Sequence, residues 1–313
     1  MNILITGGAG FLGQRLARRL LAAPELPVSR VLLVDLVEPS RPDDPRFFSR
    51  RADIVQEGIA AELLADGVDA VVHLAAVVSG QAEADFPLGM RVNIDATRQL
   101  LDAARATGRC PRFVFASSIA VFSQPLPGVI LEDTAAMPKS SYGMQKAVGE
   151  LLVNDYSRRG FVDGRVPRLP TISVRPGPPN RATSSFASGI IREPLKGETA
   201  VCPVERELVL WLSSPQTAVE NLVHCLTVSG AALGDRRTIN LPGISVSVNE
   251  MIGALERVAG RTAADRIEFR PDPVASRIVS GWPGRFDVSR AEGLGFRRDR
   301  DFESVVRAYI AER

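Results

Sequence analysis

Cysteine is scarce in this chain: Cys110, Cys202 and Cys225 are the only three in 313 residues, and none forms a C-x-x-C pair. A sparse, odd set excludes a disulfide framework and suits a reducing compartment, so a cytoplasmic protein is expected. Histidine is scarcer still. His73 and His224 alone, with no thiol cluster, give no zinc-ligand pattern, and no metal site is expected. No apolar run approaches the roughly 20 residues that span a bilayer. Ile3 opens a strand at once, which leaves no place for a signal peptide ahead of it. Neither sign of charge prevails, with 38 basic and 36 acidic residues for a net +2. The arginine pairs at 50–51, 236–237 and 297–298 are short and scattered, so nucleic acid is not an expected partner. Internal repeats and low-complexity tracts are absent too.

What is present is a core-forming chain, 45% hydrophobic, long enough for a main domain with a smaller lobe. The N-terminal half alternates strand-like and helix-like segments. Ile3–Ile5, Val31–Val34, Ala70–Leu74 and Arg112–Phe115 read as short apolar strands. Leu12, Leu16 and Leu20 step by four along a helix, as do Val92, Ala96 and Leu100 within a helix over 90–107. A long helix is expected over 141–159, ending at Gly160, and a strand over 171–175, stopped by Pro176-Gly177-Pro178-Pro179. Apolar strands alternating with helices imply a doubly wound parallel sheet covered on both faces, a Rossmann-like α/β fold. Beyond Pro179 the segments shorten and Pro, Gly, Ser and Arg become frequent. Helices are expected over 188–196, 215–228 and 248–259, the last introduced by Ser247 and closed by Gly260, with a return strand at 237–240. The expected division is a cofactor domain over 1–178, revisited at about 213–245, and a substrate lobe formed by 179–212 and 246–313.

Directly after the first strand comes Thr6-Gly7-Gly8-Ala9-Gly10-Phe11-Leu12-Gly13. Glycines spaced G-x-x-G-x-x-G between a strand and a helix suit a pyrophosphate. Gly7 allows the turn, Gly10 lets the backbone approach the phosphates, and Gly13 lets the helix pack closely, with the free N–H groups of the helix start at Gly10, Phe11 and Leu12 facing the anion. Asp35 ends the second strand, 22 residues past Gly13, where a carboxylate binds ribose hydroxyls and repels a 2′-phosphate. NAD is therefore expected rather than NADP. Asp53 and Ile54 follow the third strand and face the adenine, while Leu74, Ala75 and Ala76 pass beneath the cofactor. His73 reads as structural.

Ser118 ends a strand, and Tyr142 and Lys146 lie four apart on the long helix, hence on one face. A phenol ionises near pH 10, so a base working near neutrality needs a downward displacement of roughly 2–3 pH units. A neighbouring ammonium favours that, and Ser118 can share the charge that develops on oxygen. Asn93 is placed to organise a proton path through water.

These segments resemble the extended short-chain dehydrogenase/reductase family, also described as NAD-dependent epimerases and dehydratases. The likeness is carried by Thr6–Gly13, Asp35, Asp53, His73–Ala76, Asn93, Phe113–Phe122, Tyr142–Lys146 and Arg175–Gly177. It implies a catalytic Ser118, Tyr142 and Lys146, with Ser117 as the alternative serine, and Asn93 among the cofactor residues. It also implies a homodimer through helices 90–107 and 141–159. Family membership leaves open dehydrogenases, which release NADH, and sugar-nucleotide epimerases or dehydratases, which retain NAD. Phe122-Ser123 and the 211–216 segment depart from many epimerases. The stretches Val77–Phe86, Leu151–Gly164 and Ser184–Leu195 resemble a narrower group, the D-erythronate dehydrogenases. That likeness implies a small sugar-acid substrate, oxidised to its 2-keto form, with related tetronates left open. Ser79, Gln81, Ser118, Tyr142, Arg181, Ser185 and Arg192 are the expected substrate residues. Arg192 is the first choice for the carboxylate and Arg181 the second.

Overall fold

In the computed structural model, which describes residues 1–178 and 182–312, the main sheet is parallel throughout. Its strands are β1 (Asn2–Thr6), β2 (Arg30–Asp35), β3 (Phe47–Arg51), β4 (Ala70–His73), β5 (Arg112–Phe115), β6 (Ser117–Ser118), β7 (Asp163–Leu169) and, later in the chain, β11 (Thr238–Asn240). The order is β11-β7-β5-β4-β1-β2-β3, with β6 extending β5 alongside β7. The chain winds outward from β1 in one direction through β2 and β3, then returns to the other side at β4. This reversal opens a crevice at the carboxyl ends of β1 and β4, where ligands of such sheets bind. The strands are apolar because both faces are covered. Leu4, Ile5, Val31, Leu33, Val71, Val72 and Val114 are all fully buried.

The smaller lobe has its own core, including Phe186, Ile190, Leu210, Leu212, Met251 and Leu255. It is built around a three-stranded sheet of β8 (Thr171–Ile172), β10 (Val209–Ser213) and β12 (Ile244–Ser247), in the order β12-β10-β8. A parallel pair, β9 (Ala200–Cys202) and β13 (Ile267–Phe269), lies beside the helix Phe186–Leu195. Ser247 begins the helix Val248–Ala259 with a capping box to Glu250, and Gly260 follows with φ +83°, as the residue types require. No helix among the described residues is long and apolar enough to cross a membrane.

Two segments differ from the sequence reading. The expected strand over 171–175 is only Thr171–Ile172 and belongs to the small sheet. The main-sheet strand is β7, whose sequence DGRVPRL shows no apolar run. Its two arginines are buried with partners distant in sequence. Arg165 donates to the Val228 carbonyl at 2.8 Å, and Arg168 pairs with Glu150 at 2.7 Å. The expected helix over 90–107 opens with a π-helical turn, Met90–Asp95, before the α-helix Ala96–Ala106. Such turns redirect a side chain inward, and here the buried one is Asn93.

Candidate active site

Gly7 sits at φ +73°, and a Cβ there would lie 2.7 Å from the Ala75 nitrogen. The turns after β1 and β4 therefore touch through bare backbone, and no side chain fits between them. A Cβ on Gly13 would lie 2.3 Å from the Gly7 carbonyl oxygen, so the helix Phe11–Leu21 starts pressed against the turn. Asp35 accepts hydrogen bonds from Ala9 N at 3.0 Å and Leu36 N at 2.7 Å, which ties the end of β2 to the glycine turn. Arg51, beside it on β3, donates to the Leu36 carbonyl.

Two cavities meet over this turn. One, of about 300 Å³, is lined by Gly7, Gly10, Asp35, Asp53, Ile54, Leu74, Ala75 and Ala76 among others. The second, of about 320 Å³, is lined by Gly7, Gly10, Phe11, Leu12, Leu74, Ala76, Ser79, Ser118, Tyr142 and Lys146 among others. Gly7, Gly10, Leu74 and Ala76 border both, so the cavities are the two halves of one trough. A carboxylate at one end, a side-chain-free turn at the middle and a Tyr–Lys pair at the other suit a dinucleotide.

The floor of the trough is pinned by a directional chain of hydrogen bonds. Thr97 Oγ1 donates to the Asn93 carbonyl at 2.8 Å, so it accepts from His73 Nε2 at 2.9 Å. His73 Nδ1 then accepts from Thr6 Oγ1 at 2.6 Å. Burial keeps the His73 ring neutral, with its pKa lowered to about 3, and the charge of Lys146 adds to this. Asn93 is fully engaged. Its amide brackets Val77, accepting from the nitrogen at 2.8 Å and donating to the oxygen at 3.0 Å, and it also donates to Gln145 at 2.7 Å.

The long helix spans Ser141–Arg158, capped by Ser140. Gly143 and Gly149 let it lie directly on β5 and the turn after β6. A Cβ would come within 2.2 Å of the Ala120 carbonyl at the first and 2.3 Å of the Phe115 ring at the second. This contact brings Tyr142 beside Ser118, whose hydroxyl favours the ionised phenol. Lys146 is 3% exposed and donates to the Ala116 carbonyl at 2.8 Å, its ammonium 5.7 Å from the centre of the Tyr142 ring. Burial lowers its pKa to about 8, against the pull of Glu150. The Tyr142 phenol is pushed up to about 12 by burial, with Ser118 and Arg175 pulling the other way. Burial thus outweighs the downward displacement that the sequence reading expected from a neighbouring ammonium.

Ser117 also borders the reactive half, but its buried hydroxyl is committed elsewhere: it donates to Glu150, which Arg168 holds. Several expected substrate residues are placed differently. Gln81 borders the Asp35 half of the trough, because the short helix Ser79–Ala84 turns it that way. Ser184 lines the reactive half, and Ser185 does not. Arg192 is 2% exposed, pairs with Glu193 at 2.5 Å and donates to the Arg175 carbonyl at 2.8 Å, so it stands behind the cavity wall. Arg181 lies outside the described residues. Asn93 lines neither half of the trough. Arg175 and Trp282 line the reactive half. No periodicity pointed to either, although Arg175 lay in a stretch that carries the family likeness.

Residues 3–216 match the model of the NAD-dependent epimerase/dehydratase family. The chain belongs to this family. It is 53% identical over 319 residues to a D-erythronate dehydrogenase of Cupriavidus necator, covering 100% of this chain and 98% of the relative. It is 48% identical over 311 residues to a D-erythronate dehydrogenase of Haemophilus influenzae, covering 99% of each. Among solved structures, that of a nucleoside-diphosphate-sugar epimerase from Agrobacterium tumefaciens superposes with a TM-score of 0.95 at 43% identity, covering 100% of this chain and 94% of that one.

Proposed function

We propose that this family member is an NAD-dependent dehydrogenase that oxidises a small sugar acid, D-erythronate in the first instance, to its 2-keto form. Similarity to two D-erythronate dehydrogenases along the full chain carries the substrate class. The chemistry rests on Ser118, Tyr142 and Lys146 meeting at one end of the trough. Bound NAD supplies the hydride acceptor and a positive ring whose field opposes the burial-driven rise of the Tyr142 phenol. Tyr142 takes the hydroxyl proton. Ser118 donates to the same oxygen as charge develops on it. Lys146, held by Ala116, keeps a positive charge near the phenol, since a pKa of about 8 leaves it mostly protonated near neutral pH. Asp35 receives the adenosine ribose, and the backbone of Gly10, Phe11 and Leu12 receives the pyrophosphate.

Replacing Tyr142 with Phe tests this chemistry. Turnover should fall by roughly 10²–10⁴-fold, the usual contribution of a positioned base, while NADH titration shows unchanged binding. Turnover near the wild-type rate would remove Tyr142 from the reaction. The likeness to the Agrobacterium epimerase supports a second reading, in which NAD is retained and a nucleotide sugar is interconverted without net NADH. Appearance of NADH with the acid separates the two. A homodimer through the helices at 90–107 and 141–159 belongs to the same proposal. Leu151, 72% exposed on the second helix, is an apolar side chain such an interface would cover. If light scattering gives the same mass for wild type and Leu151→Glu, that interface is wrong.

A further inference from the structure

Arg175 differs from the other arginines around the site in having a fixed backbone and, among the described residues, no ion-pair partner for its head. Its nitrogen donates to Ser188 Oγ at 3.0 Å, and its carbonyl accepts from Arg192 at 2.8 Å. Both anchors come from the helix Phe186–Leu195, where residues 188 and 192 share one face. Arg192 is in turn paired with Glu193. Arg175 lines the reactive half of the trough together with Ser79, Ser118, Tyr142 and Trp282. No carboxylate makes an ion pair with it among the described residues. Burial lowers the pKa of its guanidinium, and the neighbouring charge of Arg192 lowers it further. A desolvated cation without a counter-charge is costly. The protein keeps one here, facing the cavity and close enough to Tyr142 for each to feel the other's charge.

Resting on the proposed function, we propose that Arg175 is the clamp for the substrate carboxylate, and that it selects acids whose reacting hydroxyl sits on the carbon beside that carboxylate. The planar guanidinium offers paired N–H donors matched to the two carboxylate oxygens. A 2-hydroxy acid carries its anion and its reacting hydroxyl on adjacent carbons, so one small molecule can reach Arg175 and Tyr142 together. A nucleotide sugar carries its charge on phosphates, several bonds from the ring hydroxyls, and cannot satisfy both groups within a cavity of about 320 Å³ that must also hold the reactive end of the cofactor. Arg192 is then a positioning residue: it fixes the Arg175 backbone and adds to the positive field without touching the ligand.

The test compares D-erythronate with D-erythronamide, which keeps every hydroxyl and removes the charge. The proteins are wild type, Arg175→Met and Arg175→Lys as full chains, and the readouts are kcat/KM for each substrate and NADH affinity by fluorescence. The preference of wild type for acid over amide should fall by about 100-fold in Arg175→Met, the scale of a lost charge-assisted contact in the transition state. Arg175→Lys should fall between the two, since it keeps the charge and loses the paired geometry. NADH affinity within about twofold of wild type establishes that the cofactor trough is intact, and if the Met variant fails this check the Lys variant decides. An unchanged acid-over-amide preference in a variant that binds NADH overturns the clamp while leaving the dehydrogenase reading in place. Wild type that oxidises no 2-hydroxy acid overturns the proposed function, and the clamp with it.

Discussion

His73 makes the stability of this protein acid-sensitive by an amount that follows from its surroundings. The ring is 1% exposed, accepts from Thr6 and donates to Thr97, and neither threonine has exposed surface. Protonating Nδ1 would force two donors together at Thr6, in a place without water. The folded-state pKa of about 3 lies below the ordinary 6.5. As pH falls through 6.5 the unfolded chain therefore binds a proton that the folded chain refuses. Stability from the neutral ring is complete above pH 6.5 and declines with acid, at about 1.4 kcal/mol per pH unit. Carried down to pH 3, this is a loss of about 5 kcal/mol, comparable with the whole stability of many domains. His73→Gln keeps one acceptor and one donor and removes the titration. Urea unfolding of both proteins from pH 7.5 to 4.5 should show wild type losing about 2.7 kcal/mol more than the variant over that range. NADH affinity should weaken in parallel, because the same chain holds Ala75, whose nitrogen donates to Thr6 and which borders the trough. Parallel pH profiles for the two proteins, or a folded-state His73 resonance that titrates near 6.5, would refute the argument.

Other consequences concern the cofactor trough. Asp35→Asn removes the charge proposed to face the ribose, together with one of the two acceptors that hold Ala9 and Leu36, and should narrow the preference for NAD over NADP by roughly tenfold, about 1.4 kcal/mol, in paired kcat/KM measurements. A preference that stays put would move cofactor selection elsewhere. Gly13→Ala places a methyl 2.3 Å from the Gly7 oxygen, so the turn must open. NADH binding should weaken at least tenfold, read by fluorescence titration, with circular dichroism to check the fold. Wild-type affinity in a folded variant would show that the helix start is free to shift.

The parts of the site that were legible in the sequence are those set by local spacing. Strand, glycine turn and helix are contiguous at 2–21, and Tyr142 and Lys146 are one helical turn apart, so a period of 3.6 residues places them together. Asp35 needed only the end of an apolar strand. The rest depends on contacts between segments distant in sequence. Arg175 and Arg192 look equivalent as text. Only the packing of the helix Phe186–Leu195 turns one behind the wall and leaves the other inside the cavity. Gln81 was misplaced because a short helix after Val78 sets its direction. The strand β7 was hidden by charges that Glu150 and the Val228 carbonyl satisfy in three dimensions. Gly143 and Gly149 carried a readable signal of close helix–sheet contact that was not used, since a glycine inside a long helix leaves room for a neighbour's backbone or ring.

The central claim is tested most directly by following NADH formation from NAD and D-erythronate with the purified chain. Steady NADH formation accompanied by stoichiometric 2-keto acid is the expected result. No NADH from D-erythronate or any related tetronate, together with interconversion of a nucleotide sugar, would contradict it.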